Sequence, residues 1–174
     1  TVPRPEPTGH DLLVQIIATS VNPVDTAVRR NTVGILEHPK VIGWDAYGIV
    51  TAVGNDVHDF QSGDRVFYAG SFKRSGTDSD YQLVDERIVG HVPTSLSPAE
   101  IAAMPLTSLT AWEALFEQMH LDIDHPADNA GRTLLVINGA RGVGSLATQL
   151  AKLAGLTVIA TASRPETIAW TKQH

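Results

Sequence analysis

Hydrophobic and polar positions follow two different patterns along this chain. Over roughly the first hundred residues, short apolar runs are separated by turns rich in Gly, Asp and Asn, which is typical of antiparallel strands. Four such runs lie at residues 12–18, 47–54, 63–68 and 80–84, and the third is entered through a turn. This pattern predicts an antiparallel β-barrel.

A helical pattern follows the predicted barrel. Residues 98–116 carry apolar side chains at helical spacing, and Ser97 is a suitable N-cap for the first turn. Pro105 should break the segment into two helices, because it lacks the N–H that an interior turn needs. Residues 122–131 are predicted to form a loop.

A strand–turn–helix–strand unit occupies the remainder. Apolar strands are predicted at residues 134–137 and 156–161, with a helix at residues 145–153 between them. Such a βαβ unit seats a dinucleotide, because the helix N-terminus offers backbone N–H groups to a pyrophosphate. We therefore expect an α/β protein with a β-barrel domain at residues 1–105 and the first part of a doubly wound Rossmann domain at residues 106–174.

The glycine-rich turn of this unit departs from the usual Gly-x-Gly-x-x-Gly fingerprint. Gly139 and Gly144 fill the first and third glycine positions, whereas Arg141 stands in the second. The Arg141 side chain either crowds the pyrophosphate or binds a phosphate as a bidentate donor. Similar turns also close helix–strand corners without any ligand. We predict a cofactor-binding turn made of Gly139, Ala140, Arg141, Gly142, Val143 and Gly144.

The end of the second predicted strand indicates which cofactor binds. An NAD site usually carries an acidic residue about twenty residues after the turn, where it holds the ribose hydroxyls. Here Ser163 and Arg164 occupy that place, and a hydroxyl with a guanidinium suits a 2′-phosphate. They therefore predict NADPH rather than NADH. A helix start explains the same residues, with Ser163 as N-cap, Pro165 in the first turn and Glu166 completing a capping box.

Composition narrows the classes of protein and partner. The 174 residues are 43% hydrophobic and carry a net charge of −6, which argues against nucleic acid or an anionic membrane as partner. The chain has no cysteine, so thiolate ligands and disulfides are excluded, and this fits the cytoplasm. A doubly wound domain needs about five or six strands. We therefore expect the chain to be part of a longer enzyme.

Several spaced motifs are shared with one family. They lie at residues 20–25 (SVNPVD), 43–50 (GWDAYGIV), 63–66 (GDRV), 84–86 (VDE), 106–115 (LTSLTAWEAL) and in the glycine turn. The chain resembles the medium-chain dehydrogenase/reductases, and most closely the zeta-crystallin-like quinone oxidoreductases often labelled "zinc-type alcohol dehydrogenase-like". The resemblance implies a GroES-like barrel that lacks its first strand here, an active site in a cleft beside the Rossmann domain, and a homodimer at full length.

Zinc is not expected despite that label. Zinc alcohol dehydrogenases of the superfamily carry a Cys ligand where this chain has Asn22 and a His ligand where it has Trp44. Asp45 alone does not replace these donors, since a catalytic zinc site needs three. His120 and His125 flank an acidic loop, and we interpret this segment as a solvated surface loop.

The resemblance also implies roles for residues outside the turn. It places Asn22 beside the nicotinamide or the substrate carbonyl, where the amide can donate a hydrogen bond, although an Asn-Pro turn explains Asn22 equally well. Asp25 orders that loop or caps the following helix, and Thr110 contacts the nicotinamide end of the cofactor or bonds back to its own helix. Many quinone reductases carry a Tyr where this chain has Ala27, so that hydroxyl is excluded here.

Three aromatic residues have two interpretations. Trp44, Tyr47 and Tyr68 either line a flat substrate pocket or fill the barrel core, and the core is favoured.

Together these features predict an NADPH-dependent, zinc-independent enzyme that reduces quinones or α,β-unsaturated carbonyls by hydride transfer. Asn22 and Asp25 are its candidate catalytic residues. One alternative is a zinc-dependent alcohol dehydrogenase whose ligands lie outside this chain. Another is a non-catalytic nucleotide-binding or structural module.

Overall fold

A computed structural model describes residues 2–174. The chain divides after Leu106 into two structural units, the second being Thr107–His174. Among the described residues, no helix combines the length and hydrophobicity needed to cross a lipid bilayer.

The first unit is built on one antiparallel sheet of five strands. Its strands are β1 (Asp11–Thr19), β2 (Asp45–Val53), β3 (Arg65–Ala69), β4 (Tyr81–Asp85) and β5 (Gly90–His91), in the order β4-β1-β2-β3-β5. All four predicted strands are present. The fifth was not predicted, because two residues are too short to produce an alternating pattern.

Alternation along the strands creates the core of this unit. Neighbouring side chains of a strand point to opposite faces, so alternate residues share one packed face, although residues 12–14 of β1 and 45–48 of β2 are buried without a break. The buried set consists of Leu12, Val14, Ala46, Val50, Val66, Tyr68 and Val84. This core packs β1 against β2, so that Ser20, directly after β1, lies beside Asp45 at the start of β2.

Three helices accompany the sheet or follow it. They are α1 (Pro23–Asn31), α2 (Pro98–Ala102) and α3 (Pro105–Trp112). Ser97 caps α2 as predicted, since its hydroxyl accepts the Glu100 N–H and its own N–H donates to Glu100. The predicted break at Pro105 is also confirmed. A π-helical segment, Glu113–Gln118, continues α3.

The second unit contains the predicted βαβ arrangement. Strands β6 (Thr133–Val136) and β7 (Thr157–Ala160) are parallel, with helix α4 (Gly142–Leu153) between them and α5 (Pro165–Gln173) after them. The buried core of this unit consists of Leu115, Leu121, Ala151, Ala154 and Leu156. Strand, helix and parallel strand form the unit with which a Rossmann domain begins.

The start of α5 differs from the prediction by one residue. The N-cap is Arg164, not Ser163, and the Arg164 N–H donates to the Thr167 hydroxyl at 3.1 Å. Proline favours the first helical position, so Pro165 places the cap immediately before itself. Glu166 therefore lies too early to complete a capping box, and its carboxylate instead contacts the Arg164 side chain at 3.2 Å.

The segment at residues 122–131 contains one turn of 3₁₀-helix, Pro126–Asn129, rather than loop alone. Asn129 is 1% exposed, and its Nδ2 donates to the backbone carbonyls of Asp122 and Ala154. A single amide thus joins the segment before β6 to the end of α4.

Replacing Asn129 by Ala should destabilise the chain by about 2 kcal/mol, because two buried carbonyls lose their shared donor. Urea unfolding followed by circular dichroism measures the change. Asn55→Ala is the control, since Asn55 is exposed in a turn. Equal unfolding midpoints for the two variants would contradict the assigned role of Asn129.

Candidate functional site

A buried carboxylate organises the polar cluster in the first unit. Asp45, the first residue of β2, is 0% exposed. Its Oδ2 accepts hydrogen bonds from the Ser20 hydroxyl at 2.6 Å and from Asn22 Nδ2 at 2.7 Å. Its Oδ1 accepts the backbone N–H of Leu106 at 2.7 Å. One side chain therefore fixes three separate segments of the chain.

Asn22 is held in one orientation by these contacts. It is the N-cap of α1, yet its amide nitrogen faces Asp45 rather than the backbone of its own turn. The second hydrogen of that nitrogen has only a long contact, 3.5 Å, to the Ser20 hydroxyl. Asn22 thus keeps most of the donor capacity of one N–H for another group.

Asp25 lies beside Asn22 and performs both of the structural tasks considered for it. Its Oδ2 accepts the backbone N–H of Asn22 at 2.6 Å, which closes the first turn of α1 and orders the preceding loop. The other oxygen, Oδ1, is buried and has no hydrogen-bond partner among the described residues. Burial raises the pKa of Asp78, and the negative charge of Asp25 raises it further. The buried Oδ1 of Asp25 is therefore a hydrogen-bond acceptor that the described residues leave unused.

All three aromatic residues are buried in the core, as favoured above. The Tyr68 hydroxyl donates to Gln82 at 2.8 Å, and burial raises the pKa of that hydroxyl. The Tyr47 hydroxyl accepts a hydrogen bond from Arg65 at 2.9 Å. Trp44 is also buried, but its indole N–H has no partner among residues 2–174.

The residues of this cluster do not fit a zinc ion. Asn22 directs its amide nitrogen, a donor, at Asp45, and an indole offers no lone pair to a metal. In the part of the chain that the structure describes, no group of three or more His, Cys, Asp or Glu residues is placed to hold a metal. His125 lies in an exposed loop, where its ring nitrogen contacts Asp122 at 3.0 Å.

The glycine turn of the second unit is tightly packed. Asn138, with φ +59°, supplies the left-handed residue of the turn, a conformation that Asn tolerates. A Cβ on Gly139 would lie 2.6 Å from the Cβ of Ala160 in β7. A Cβ on Gly144 would lie 2.3 Å from the carbonyl oxygen of Asn138. Gly139 is therefore required for the close approach of the turn to β7, and Gly144 for the close approach of the first turn of α4 to Asn138.

Arg141 fits this turn without backbone strain. It is the N-cap of α4 and has extended dihedral angles, φ −94° and ψ 169°, which any residue adopts. The next three residues, Gly142, Val143 and Gly144, begin the helix, and the first N–H groups of a helix have no intrahelical acceptor. The turn thus offers several N–H donors and the positive end of a helix dipole to an anion.

A small cavity of about 30 Å³ lies at the carboxyl end of β7. Side chains with positive charge or hydrogen-bonding groups line it from both flanking loops: Asn138, Arg141, Thr161, Ser163, Arg164 and Thr167. The structure therefore brings the predicted residues Arg141, Ser163 and Arg164 together. Asn138 and Thr167 line the same cavity but were not predicted, because neither belongs to the fingerprint. Thr110 lies on an exposed face of α3 in the same unit.

The family of the chain follows from its first unit. Residues 8–108, more than half of the chain, match the family model described as "Alcohol dehydrogenase GroES-like domain". The chain belongs to this GroES-like family. With its Rossmann-type βαβ unit, it is a member of the medium-chain dehydrogenase/reductase superfamily.

Similar proteins carry two kinds of name. A "Zinc-type alcohol dehydrogenase-like protein" of Staphylococcus epidermidis is 48% identical over 166 residues, which cover 95% of this chain and 48% of that protein. The crystal structure of a candidate zinc-dependent alcohol dehydrogenase from Rhizobium etli is 56% identical, with a TM-score of 0.89, over 99% of this chain and 50% of that one.

A quinone oxidoreductase is also among the structural neighbours. The Escherichia coli quinone oxidoreductase complexed with NADPH is 26% identical with a TM-score of 0.81, over 99% of this chain and 50% of that one. The GroES-like chain spans about half the length of the curated relatives it matches.

Replacing Asp45 by Asn should destabilise the first unit by about 2–4 kcal/mol, because the new amide group faces three buried donors with one acceptor fewer. Urea unfolding of the chain measures this. Asp56→Asn is the matched control, since Asp56 is exposed. A stability within about 0.5 kcal/mol of the unmodified chain would show that the three hydrogen bonds do not hold the cluster together.

Proposed function

We propose that the protein carrying this chain is an NADPH-dependent, zinc-independent reductase of quinones or α,β-unsaturated carbonyls. The observation that supports this most directly is the cavity at the end of β7. There Ser163 and Arg164 stand where an NAD site would present a carboxylate, and Arg141 of the glycine turn lines the same cavity. The membership in an oxidoreductase family and the NADPH-bound quinone oxidoreductase among its structural neighbours agree with it.

The residues of the second unit fit the cofactor. Gly139 and Gly144 allow the tight turn and the close packing of α4, and the pyrophosphate would accept hydrogen bonds from the N–H groups at the start of α4. Ser163 and Arg164 would hold the 2′-phosphate. When bound, NADPH supplies the hydride that reduces the substrate.

The polar cluster of the first unit supplies a different contribution. Hydride addition to an enone or a quinone leaves negative charge on the carbonyl oxygen of the substrate. We assign the stabilisation of this charge to the second N–H of Asn22, because a donor held in a buried site stabilises a developing anion without reorganising. Asp45 keeps that donor in place, and water supplies the proton to the product.

This chemistry sets the substrate class. A simple ketone needs strong polarisation before it accepts hydride, which a zinc ion provides as a Lewis acid. The donors around Asp45 are hydrogen-bond donors, and they suit a substrate whose conjugation already makes one carbon electron-poor. Quinones and enones satisfy this requirement.

NADPH should bind the protein more tightly than NADH, by about tenfold or more, since one charge-assisted hydrogen bond is worth that much. Titration followed by nicotinamide fluorescence measures both affinities. Reduction of 1,4-benzoquinone and of an enone is then assayed with and without a chelator. Activity on simple alcohols that a chelator abolishes would replace the proposal by the zinc-dependent alternative, and failure to bind either nucleotide would reject both enzymes.

Asn22→Ala should lower kcat by about 10- to 100-fold while NADPH affinity stays unchanged, because the donor acts on the substrate oxygen only. Steady-state kinetics and a parallel NADPH titration separate these quantities. Val21→Ala serves as the control, since Val21 is an exposed neighbour in the same loop. An Asn22→Ala enzyme with normal kcat would remove Asn22 from the mechanism.

A further inference from the structure

We infer that Arg141 selects the cofactor, by binding the 2′-phosphate of NADPH more strongly than Arg164 does. The inference rests on the proposed function and assigns a role to the residue that replaces the second glycine of the fingerprint. Three observations carry it: the backbone conformation of Arg141, the cavity it lines, and the different ionic surroundings of the two arginines.

The first observation concerns the space that a side chain needs. Glycine in this position normally lets the backbone approach the pyrophosphate. Arg141 has an extended, unstrained backbone and an exposed side chain, so its bulk is not forced into the turn. The neighbouring Gly142 begins the helix without a side chain. The pyrophosphate position next to the helix N-terminus therefore does not require a glycine at residue 141.

The second observation is the position of the Arg141 side chain in the cavity at the end of β7. It lines the cavity at the end of β7 together with Ser163 and Arg164, which belong to the loop before α5. That loop is the place where a dinucleotide presents the ribose nearest to the adenine. Arg141 therefore meets the group that distinguishes NADPH from NADH, even though it belongs to the pyrophosphate turn by sequence.

The third observation is the charge of each arginine. Arg164 Nε contacts Glu166 Oε1 at 3.2 Å, so a carboxylate accompanies this guanidinium at the cavity. None of the ion pairs found within residues 2–174 includes Arg141. The Arg164–Glu166 pair contributes little net charge, and Arg141 contributes a full positive charge. A phosphomonoester carries about −1.5 to −2 charges at neutral pH and is attracted mainly to the uncompensated cation.

Titrations of four nucleotides with point variants test this inference. NADPH, NADH, 2′,5′-ADP and 5′-AMP are titrated calorimetrically at one fixed ionic strength, because salt screens exposed charges. The variants are Arg141→Gly, which restores the fingerprint, Arg141→Lys, which keeps the charge but not the bidentate geometry, and Arg164→Gln. Thermal unfolding of each variant confirms that it is folded.

We expect Arg141→Gly to weaken the binding of NADPH and 2′,5′-ADP by about 10- to 100-fold and that of NADH and 5′-AMP by less than about threefold. Arg141→Lys should give an intermediate loss, and Arg164→Gln a smaller loss than Arg141→Gly. A further variant, Glu166→Gln, should strengthen NADPH binding, since it removes the opposing carboxylate.

Other outcomes overturn the inference in distinct ways. An equal loss for NADPH and NADH in Arg141→Gly would assign Arg141 to the pyrophosphate. Tighter binding of both would show that its side chain crowds the site. The unmodified protein could prefer NADPH, with Arg164→Gln abolishing that preference and Arg141→Gly leaving it intact. This result would reject the role of Arg141, while the proposed function would stand. Absence of nucleotide binding in the unmodified protein would reject both.

Discussion

The polar cluster of the first unit depends on one buried carboxylate. Asp45 would carry a large desolvation cost if its oxygens had no partners, and this cost is met by three donors from two segments, residues 20–22 and Leu106. Satisfying the carboxylate therefore fixes the loop before α1, the start of β2 and the backbone at Leu106, all within the first unit, relative to one another. The position of Asn22 is a consequence of this requirement, since its amide supplies one of the three donors.

A steric constraint has the same importance in the second unit. The glycine turn lies so close to β7, and the first turn of α4 so close to Asn138, that Gly139 and Gly144 have no room for a Cβ. The close approach exposes backbone N–H groups at the start of α4, and it also brings the loop before α5 to the same cavity as Arg141. The close packing at Gly139 and Gly144 thus brings Arg141 and Arg164 to the same cavity.

Periodicity explains why much of the fold was predictable. The strands of the sheet and the βαβ unit carry apolar residues at the spacing of their secondary structure. Proline lacks the N–H that the interior of a helix needs, so Pro105 separates α2 from α3. The predicted N-cap of α5 was wrong by one residue. Ser163 and Arg164 both precede Pro165, and the N-cap preference of the residue types alone favoured the serine. The two-residue strand β5 has no periodicity to detect.

The candidate site was less predictable, because its contacts join residues distant in sequence. Asn22 and Asp25 were identified from motifs, but the partner of Asn22 is Asp45, twenty-three positions away. Asp45 was considered only as a metal ligand, and no local pattern shows that a carboxylate accepts three hydrogen bonds. The pairing of Arg164 with Glu166 was likewise hidden by the expectation of a capping box.

The exchange of metal ligands for hydrogen-bond donors has a consistent physical effect on such a site. A Cys and a His hold zinc through lone pairs, whereas Asn22 presents N–H groups at the corresponding position and Trp44 has a buried indole N–H with unused capacity. Under the proposed function, N–H donors of this kind would stabilise negative charge on a ligand without polarising a carbonyl as strongly as a divalent cation does. Asp45 then acquires a task that a metal site would not need, since an amide without a fixed partner rotates and loses its direction. Under the proposed function, the same backbone framework suits substrates that conjugation has already activated, and its selectivity then depends on how rigidly Asp45 holds the amide of Asn22.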